Sequence, residues 1–431
     1  MIEVDEVAVG PRARVYGEGW QSWSPTTWYG AADEIHRPAE RWQHLMRFRP
    51  GAAVPDDAVQ GEGLLVVDPG DGAAVRTYGV TDASAEVPSI RARWRDGRVA
   101  VSATGPVASW TTPAGGADAG IDALRAFGDR IGRAAGARAA AAVPRVWCSW
   151  YRYFEDVTAA DVRENLHDLR AHALPVDVVQ IDDGWSRGTG EWTAEDERFG
   201  SVADAAAEIR DAGRRPGLWL APFVVGAGSD VARWHPEWLT GAAGHNWGDD
   251  LVGLDLTHPG VRGYLTDVFA RVREWGIGYV KLDFLYAGAV PGTRHDTEAT
   301  PITAYRSGLE LVREVLGEEA YVLGCGAPLL SSVGLVDAMR IASDTFHEGG
   351  EDGSHGLRGR MSLQARAWQD GRLWTTDPDC LVARPGFALR EEWAAVVRAA
   401  PGVRGFSDRI AELDERGLQL VRDLLEGPAH A

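Results

Sequence analysis

The sequence predicts an α/β protein, a (β/α)8 TIM barrel preceded by a small β-rich, sandwich-like domain. Three observations carry that expectation. From residue 145 onward, short apolar runs alternate with segments of helical spacing. Before residue 140, short β-type runs are broken by Asp-Gly and Pro-Gly turns. Two acids then stand just past apolar runs: Asp283 closes Gly-Tyr-Val-Lys-Leu-Asp, and Asp344 closes Met-Arg-Ile-Ala-Ser-Asp. A carboxylate is costly inside a strand but solvated beyond its end. In a barrel, all the C-terminal strand ends open onto one cleft.

The expected division is 1–140, with a helical connector at 121–142, and 141–431 for the barrel. In the first part, 63–68 and 98–102 read as strands, with Asp71-Gly72 and Asp96-Gly97 as hairpin turns. In the second, eight strands are expected at 145–150, 176–181, 216–220, 251–256, 278–282, 320–323, 338–341 and 373–375. Helices are expected between them at 158–171, 202–212, 230–239, 259–275, 302–316, 330–336 and 358–368. Two more follow at 389–399 and 408–425. Thr158 reads as an N-cap and Thr257 as the cap of the helix opening at Pro259. An open doubly wound sheet is the generic alternative, but no Gly-x-Gly-x-x-Gly follows the first strand.

Composition narrows the function classes. A net charge of -19 over 431 residues disfavours nucleic acid, whose phosphates require a basic face. No apolar run approaches 18 residues, so no membrane span is expected. The opening Met-Ile-Glu-Val-Asp-Glu-Val lacks the basic-then-apolar pattern of a secretory signal. Three cysteines cannot all pair, and reduced thiols in a cytoplasm are expected. Two carboxylates across a cleft are the equipment for breaking a glycosidic bond. The 18 tryptophans include Trp150, Trp185, Trp219 and Trp374 beside polar motif residues, where ring faces suit the C–H faces of sugars. Asp182-Asp183 ends the second strand, and such a pair can also hold a hard cation. However, no matching carboxylate or histidine cluster recurs on neighbouring strand ends. Neither a metal nor any other cofactor is expected.

Seven segments then occur in register: Trp147-Cys-Ser-Trp-Tyr151, Gln180-Ile-Asp-Asp-Gly-Trp185, Leu218-Trp-Leu-Ala-Pro222, Lys281-Leu-Asp-Phe284, Leu323-Gly-Cys-Gly-Ala-Pro328, Arg340-Ile-Ala-Ser-Asp344 and Asp377-Pro-Asp379. Together they resemble glycoside hydrolase family 36, the α-galactosidases of the melibiase clan. Gly19-Trp-Gln-Ser-Trp-Ser24 resembles the aromatic motif of that family's β-sandwich. The resemblance implies Asp283 as nucleophile and Asp344 as general acid/base of a retaining hydrolase acting on a terminal α-galactoside or oligosaccharide. It also implies sugar contacts from Asp182, Asp183, Trp150, Trp219, Lys281, Cys325, Arg340 and Asp379, with Trp23 reaching in from the β-rich domain. Arg340, four residues before Asp344, would not stack beside it if the segment bends out of its strand. The family's C-terminal antiparallel domain is not expected here, since helical sequence follows Pro401-Gly402. That departure leaves a homo-oligomer open. A raffinose-synthase-like transglycosylase, an α-N-acetylgalactosaminidase and a sugar-binding pseudoenzyme are the competing expectations.

Overall fold

The computed structural model describes residues 1–36, 41–115, 118–138, 142–345 and 359–427. The expected boundary at 140–141 and the first residue of the expected helix at 358–368 lie outside those residues.

Strand Leu64–Asp68 shows how the N-terminal layers are built. Its side chains alternate, as any strand's must. Leu65 and Val67 face a core shared with Val15, Tyr78, Ile90, Val99 and Val101. Leu64 and Val66 face the other way, onto a core shared with Leu124, Phe127 and the barrel. That strand is central in an antiparallel sheet ordered Trp28–Gly30, Arg14–Gly17, Leu64–Asp68, Val75–Gly79, Ala108–Thr112. The facing sheet is ordered Ile2–Ala8, Arg98–Ala103, Ser89–Arg95, Val59–Glu62. Asp96-Gly97 is a hairpin turn as expected: both residues have positive φ, 44° and 75°, and Arg95 pairs with Arg98. Helix Ala119–Ala135 follows, capped by the Asp118 side chain at one end and by left-handed Gly136 at the other.

Eight parallel strands form the barrel: Arg145–Cys148, Val178–Ile181, Arg215–Leu220, Tyr279–Leu282, Tyr321–Gly324, Ala338–Arg340, Thr375–Asp377 and Arg404–Phe406. The eighth pairs with the first, and Val403 N donates to Thr376 O at 2.8 Å on its other side, closing the ring. The fold class is therefore as expected, but the strand count shifts in two places. Leu251–Leu256 is not the fourth barrel strand. Asp249–Leu254 pairs antiparallel with Val224–Gly226 and Leu239–Asn246 in a separate three-stranded sheet between barrel strands three and four. Its alternating exposure and two leading acids fit a sheet covered on one face, not a doubly buried barrel strand. Asp283 accordingly follows strand four, Cys325 strand five, Asp344 strand six, and Asp377 ends strand seven. The true eighth strand, Arg404-Gly-Phe406, carries one apolar side chain in three residues and gave no signal. Among the described residues after Phe406, only helical elements and loops follow.

Caps explain the helix starts. Thr158 forms a reciprocal capping box with Asp161 on Ala159–Ala171. Pro259–Glu274 is capped by His258, whose ring accepts from Gly260 N, rather than by Thr257. Thr257 instead donates its hydroxyl to Asp255 at 2.7 Å. No helix among the described residues is long and apolar enough to cross a membrane.

Candidate active site

A pocket of about 260 Å³ opens at the C-terminal strand ends, lined among others by Trp23, Trp150, Asp182, Trp219, Lys281, Asp283 and Asp344. Seven of the eleven expected residues are therefore brought together. Asp183 lines an adjoining cavity of about 520 Å³, which shares Asn246 and Trp247 with the first. Cys325, Arg340 and Asp379 are buried behind the pocket wall.

Asp182 is 2% exposed. Its Oδ2 accepts from Lys281 Nζ at 3.1 Å and Gln180 Nε2 at 2.6 Å, and its Oδ1 accepts from Asp183 N at 3.0 Å. Burial opposes the Lys281 charge most strongly, yet the Asp182 and Asp283 carboxylates together with Cys325 hold the ammonium well above its usual range. Lys281 is thus bound more closely to Asp182 than to Asp283, whose Oδ2 lies 4.0 Å away. Asp183 is held by its own turn, accepting from Gly184 N at 2.8 Å. Burial and the Asp182 carboxylate push it up to about 7.

Asp283 is fixed by two donors. Trp219 Nε1 reaches its Oδ2 at 3.2 Å, and Phe284 N its Oδ1 at 2.8 Å. Trp219 thus serves both as a wall and as a hydrogen-bond donor to the carboxylate. Phe284 sits at φ 50°, a costly conformation for a bulky residue. Trp247, at φ 50°, and Gly248, at φ 74°, form the tip of the hairpin that interrupts the barrel. The Trp247 ring meets Trp219 edge-on at 6.1 Å and Phe284 at 5.1 Å. Sequence reading missed Trp247 because it took this hairpin for a barrel element.

Asp344 does not stand apart from Arg340. The two form an ion pair at 2.8 Å, because strand six ends at Arg340 and the following turn brings residue 344 back over it. Burial nonetheless raises the Asp344 carboxyl, against the pull of Arg340, to about 7. The Arg340 Nε contacts Asp377 at 3.0 Å and its Nη2 contacts Asp379 at 2.7 Å.

The outer wall comes from the N-terminal layers. Gln21 and Trp23 line the pocket with Met46 and Arg47. Their loop is held by Arg366, which is fully buried with Glu18 at 2.7 Å. Arg366 also donates to the carbonyls of Gln21, Ser22, Ser24 and Ile341. Gly19 is required at that crossing, since a Cβ there would lie 2.7 Å from Arg366 Nη2 and 2.3 Å from Ser24 Cβ. Trp20 packs inward, 3% exposed.

The fold is similar to that of solved α-galactosidases with a (β/α)8 barrel. Residues 136–316 match the model of the melibiase family. A solved α-galactosidase from Thermus thermophilus, in complex with stachyose, superimposes with a TM-score of 0.80 at 28% identity, over 98% of this chain and 93% of that one. The family 36 α-galactosidase AgaA of Geobacillus stearothermophilus shares the fold, with a TM-score of 0.63 at 15% identity over 98% of this chain and 61% of that one. By sequence, the bifunctional α-galactosidase/sucrose kinase of Mediterraneibacter gnavus is 28% identical over 159 residues, 32% of this chain. That match spans 17% of the relative's length, and the match to the Escherichia coli α-galactosidase spans 18%.

Proposed function

We infer that the chain is a retaining exo-α-galactosidase acting through a covalent galactosyl-enzyme. The observation that carries this reading is the meeting of Asp283 and Asp344, from the ends of strands four and six, in one aromatic-walled pocket with the Asp182–Lys281 pair. Asp283 has the environment of a nucleophile, with two N–H donors stabilising its charge and a lysine nearby. Asp344 has that of a general acid, held protonatable near neutrality. Asp182 presents an oxygen that accepts from Asp183 N alone among the described donors, leaving capacity for a sugar hydroxyl. In a retaining site the two carboxyls work about 5–5.5 Å apart. Terminal galactose of an oligosaccharide is the substrate class, in keeping with the stachyose carried by the Thermus thermophilus relative.

Two expected results test this reading. Asp182→Asn and Asp183→Asn should each lower kcat/KM roughly ten- to a thousandfold, the scale of one charge-assisted hydrogen bond or of a hydroxyl left unpaired. Intact turnover in both variants would remove the pocket assignment. The second result is a pH profile. The first chemical step needs Asp344 protonated, so kcat/KM for an unactivated galactoside should fall as pH rises through about 7. Asp183 also titrates near 7, so the limb is to be recorded in Asp183→Asn as well. A limb that vanishes there belongs to Asp183 and contradicts the assignment of the acid.

A further inference from the structure

Arg340 poses a problem for the acid it touches. A guanidinium 2.8 Å from a carboxylate favours the ionised form, yet a general acid must begin protonated. The surroundings of Arg340 resolve the conflict. Its three nitrogen groups are each taken: Nη1 by Asp344, Nε by Asp377 at 3.0 Å and Nη2 by Asp379 at 2.7 Å. Arg340, Asp377 and Asp379 are all buried, so water screens these charges little.

Asp379 is itself held by several groups. Its Oδ2 accepts from the Tyr151 hydroxyl, from Thr345 N at 2.8 Å and from Thr345 Oγ1 at 3.1 Å, while its Oδ1 accepts from Cys380 N at 2.7 Å. It keeps a left-handed backbone at φ 78° that a non-glycine residue adopts only under such constraint. Asp377 caps the same turn by accepting from Asp379 N at 3.0 Å. Neither carboxylate lines the pocket.

We propose that Asp377 and Asp379 are positioning residues that absorb the charge of Arg340, so that Arg340 orients the Asp344 carboxyl without keeping it ionised. This rests on the reading of Asp344 as general acid and assigns the machinery that keeps it one. The other groups that face Asp344 among the described residues are Lys281 and Asp283 from strand four, Cys325 from strand five and Tyr151 after strand one. Of these, only Lys281 shares the sign of Arg340, and Asp182 is its nearer partner. The two acids on Arg340 are thus the groups whose removal changes the balance of charge at Asp344 most directly.

The test is the pH dependence of kcat/KM for methyl α-galactoside, which needs protonation of its leaving group, and for p-nitrophenyl α-galactoside, which does not. Asp377→Asn and Asp379→Asn should each move the basic limb for the methyl substrate downward by on the order of 1 pH unit. At pH 7 they should slow that substrate roughly tenfold, while KM and turnover of the aryl substrate stay within about twofold. Tyr151→Phe removes a hydrogen bond and no charge, and should leave the limb in place. Asp377→Asn acts through Nε, leaves the strained residue 379 itself unchanged and keeps an amide oxygen to accept from its N–H, so the answer stands if Asp379→Asn does not fold. An unmoved limb with KM raised for both substrates would make these acids sugar ligands and overturn the proposal. Asp344→Asn separates the two levels. Unchanged turnover of the methyl substrate in that variant removes the acid reading itself, and the proposal with it. Loss in Asp344→Asn with an unmoved limb in the other two variants removes the proposal alone.

Discussion

Asp283→Ala is expected to reduce turnover of an aryl α-galactoside by roughly 10⁴- to 10⁶-fold, the scale of losing a covalent nucleophile. Azide should restore part of it, and the product should be the β-azide, because the anion attacks from the side the carboxylate vacated. Asp344→Ala should behave differently. Its nucleophile is intact and still held by Trp219 and Phe284 N, so an activated substrate should still glycosylate it, and azide should then give the α-azide. The products are told apart by NMR of the anomeric proton. The same azide anomer from both variants, or β-galactose as the first product of the unaltered enzyme, would contradict the two roles.

Arg366→Met is expected to cost about 3–5 kcal/mol of stability, the range for leaving one partner of a buried ion pair uncompensated. Glu18 would keep its bonds from Tyr16 at 2.6 Å, Gln369 at 2.9 Å and Gly19 N at 3.0 Å, but no cation. The paired change Glu18→Leu with Arg366→Met removes both charges and should recover most of that loss. It should not recover the site, because the carbonyls of Gln21, Ser22 and Ser24 lose the donor that shapes their loop. Chemical denaturation and KM together check this. A single variant within about 1 kcal/mol of the unaltered protein, a surface-pair value, would refute the assigned weight of the pair. A double variant with normal KM would refute the role of Arg366 in shaping the loop.

The barrel was legible because buried strands advertise themselves. Val178-Val-Gln-Ile181 and Tyr279-Val-Lys-Leu282 carry apolar side chains on both faces. The acids that end them stood out against that background. Arg404-Gly-Phe406 was illegible for the opposite reason: three residues, paired on both sides by backbone, need little side-chain signal. Leu251–Leu254 misled because four apolar-looking positions do not distinguish a barrel strand from one in a small antiparallel sheet. The position of Asp283 and Asp344 at strand ends facing the pocket was readable from local context. The sharing of Arg340 among three acids was not, since it joins strand six to the turn after strand seven and depends on how far each strand protrudes. Trp247 depended on the interrupting hairpin, and Met46 and Arg47 on how the N-terminal layers dock. None of these leaves a trace in spacing.

The link between Glu18 and Arg366 spans 348 positions. A ribosome adding about 5–20 residues per second reaches the second roughly 20–70 s after the first. For the later part of that interval the β-rich layers, which end at Thr112, are already made, while the cation that compensates their buried acid is not. The Trp23 loop has nothing to close against until strand six and the helix beyond it exist. The order of synthesis therefore makes pocket assembly a late event, and nascent chains arrested before residue 366 should present that loop to proteases that the finished protein resists.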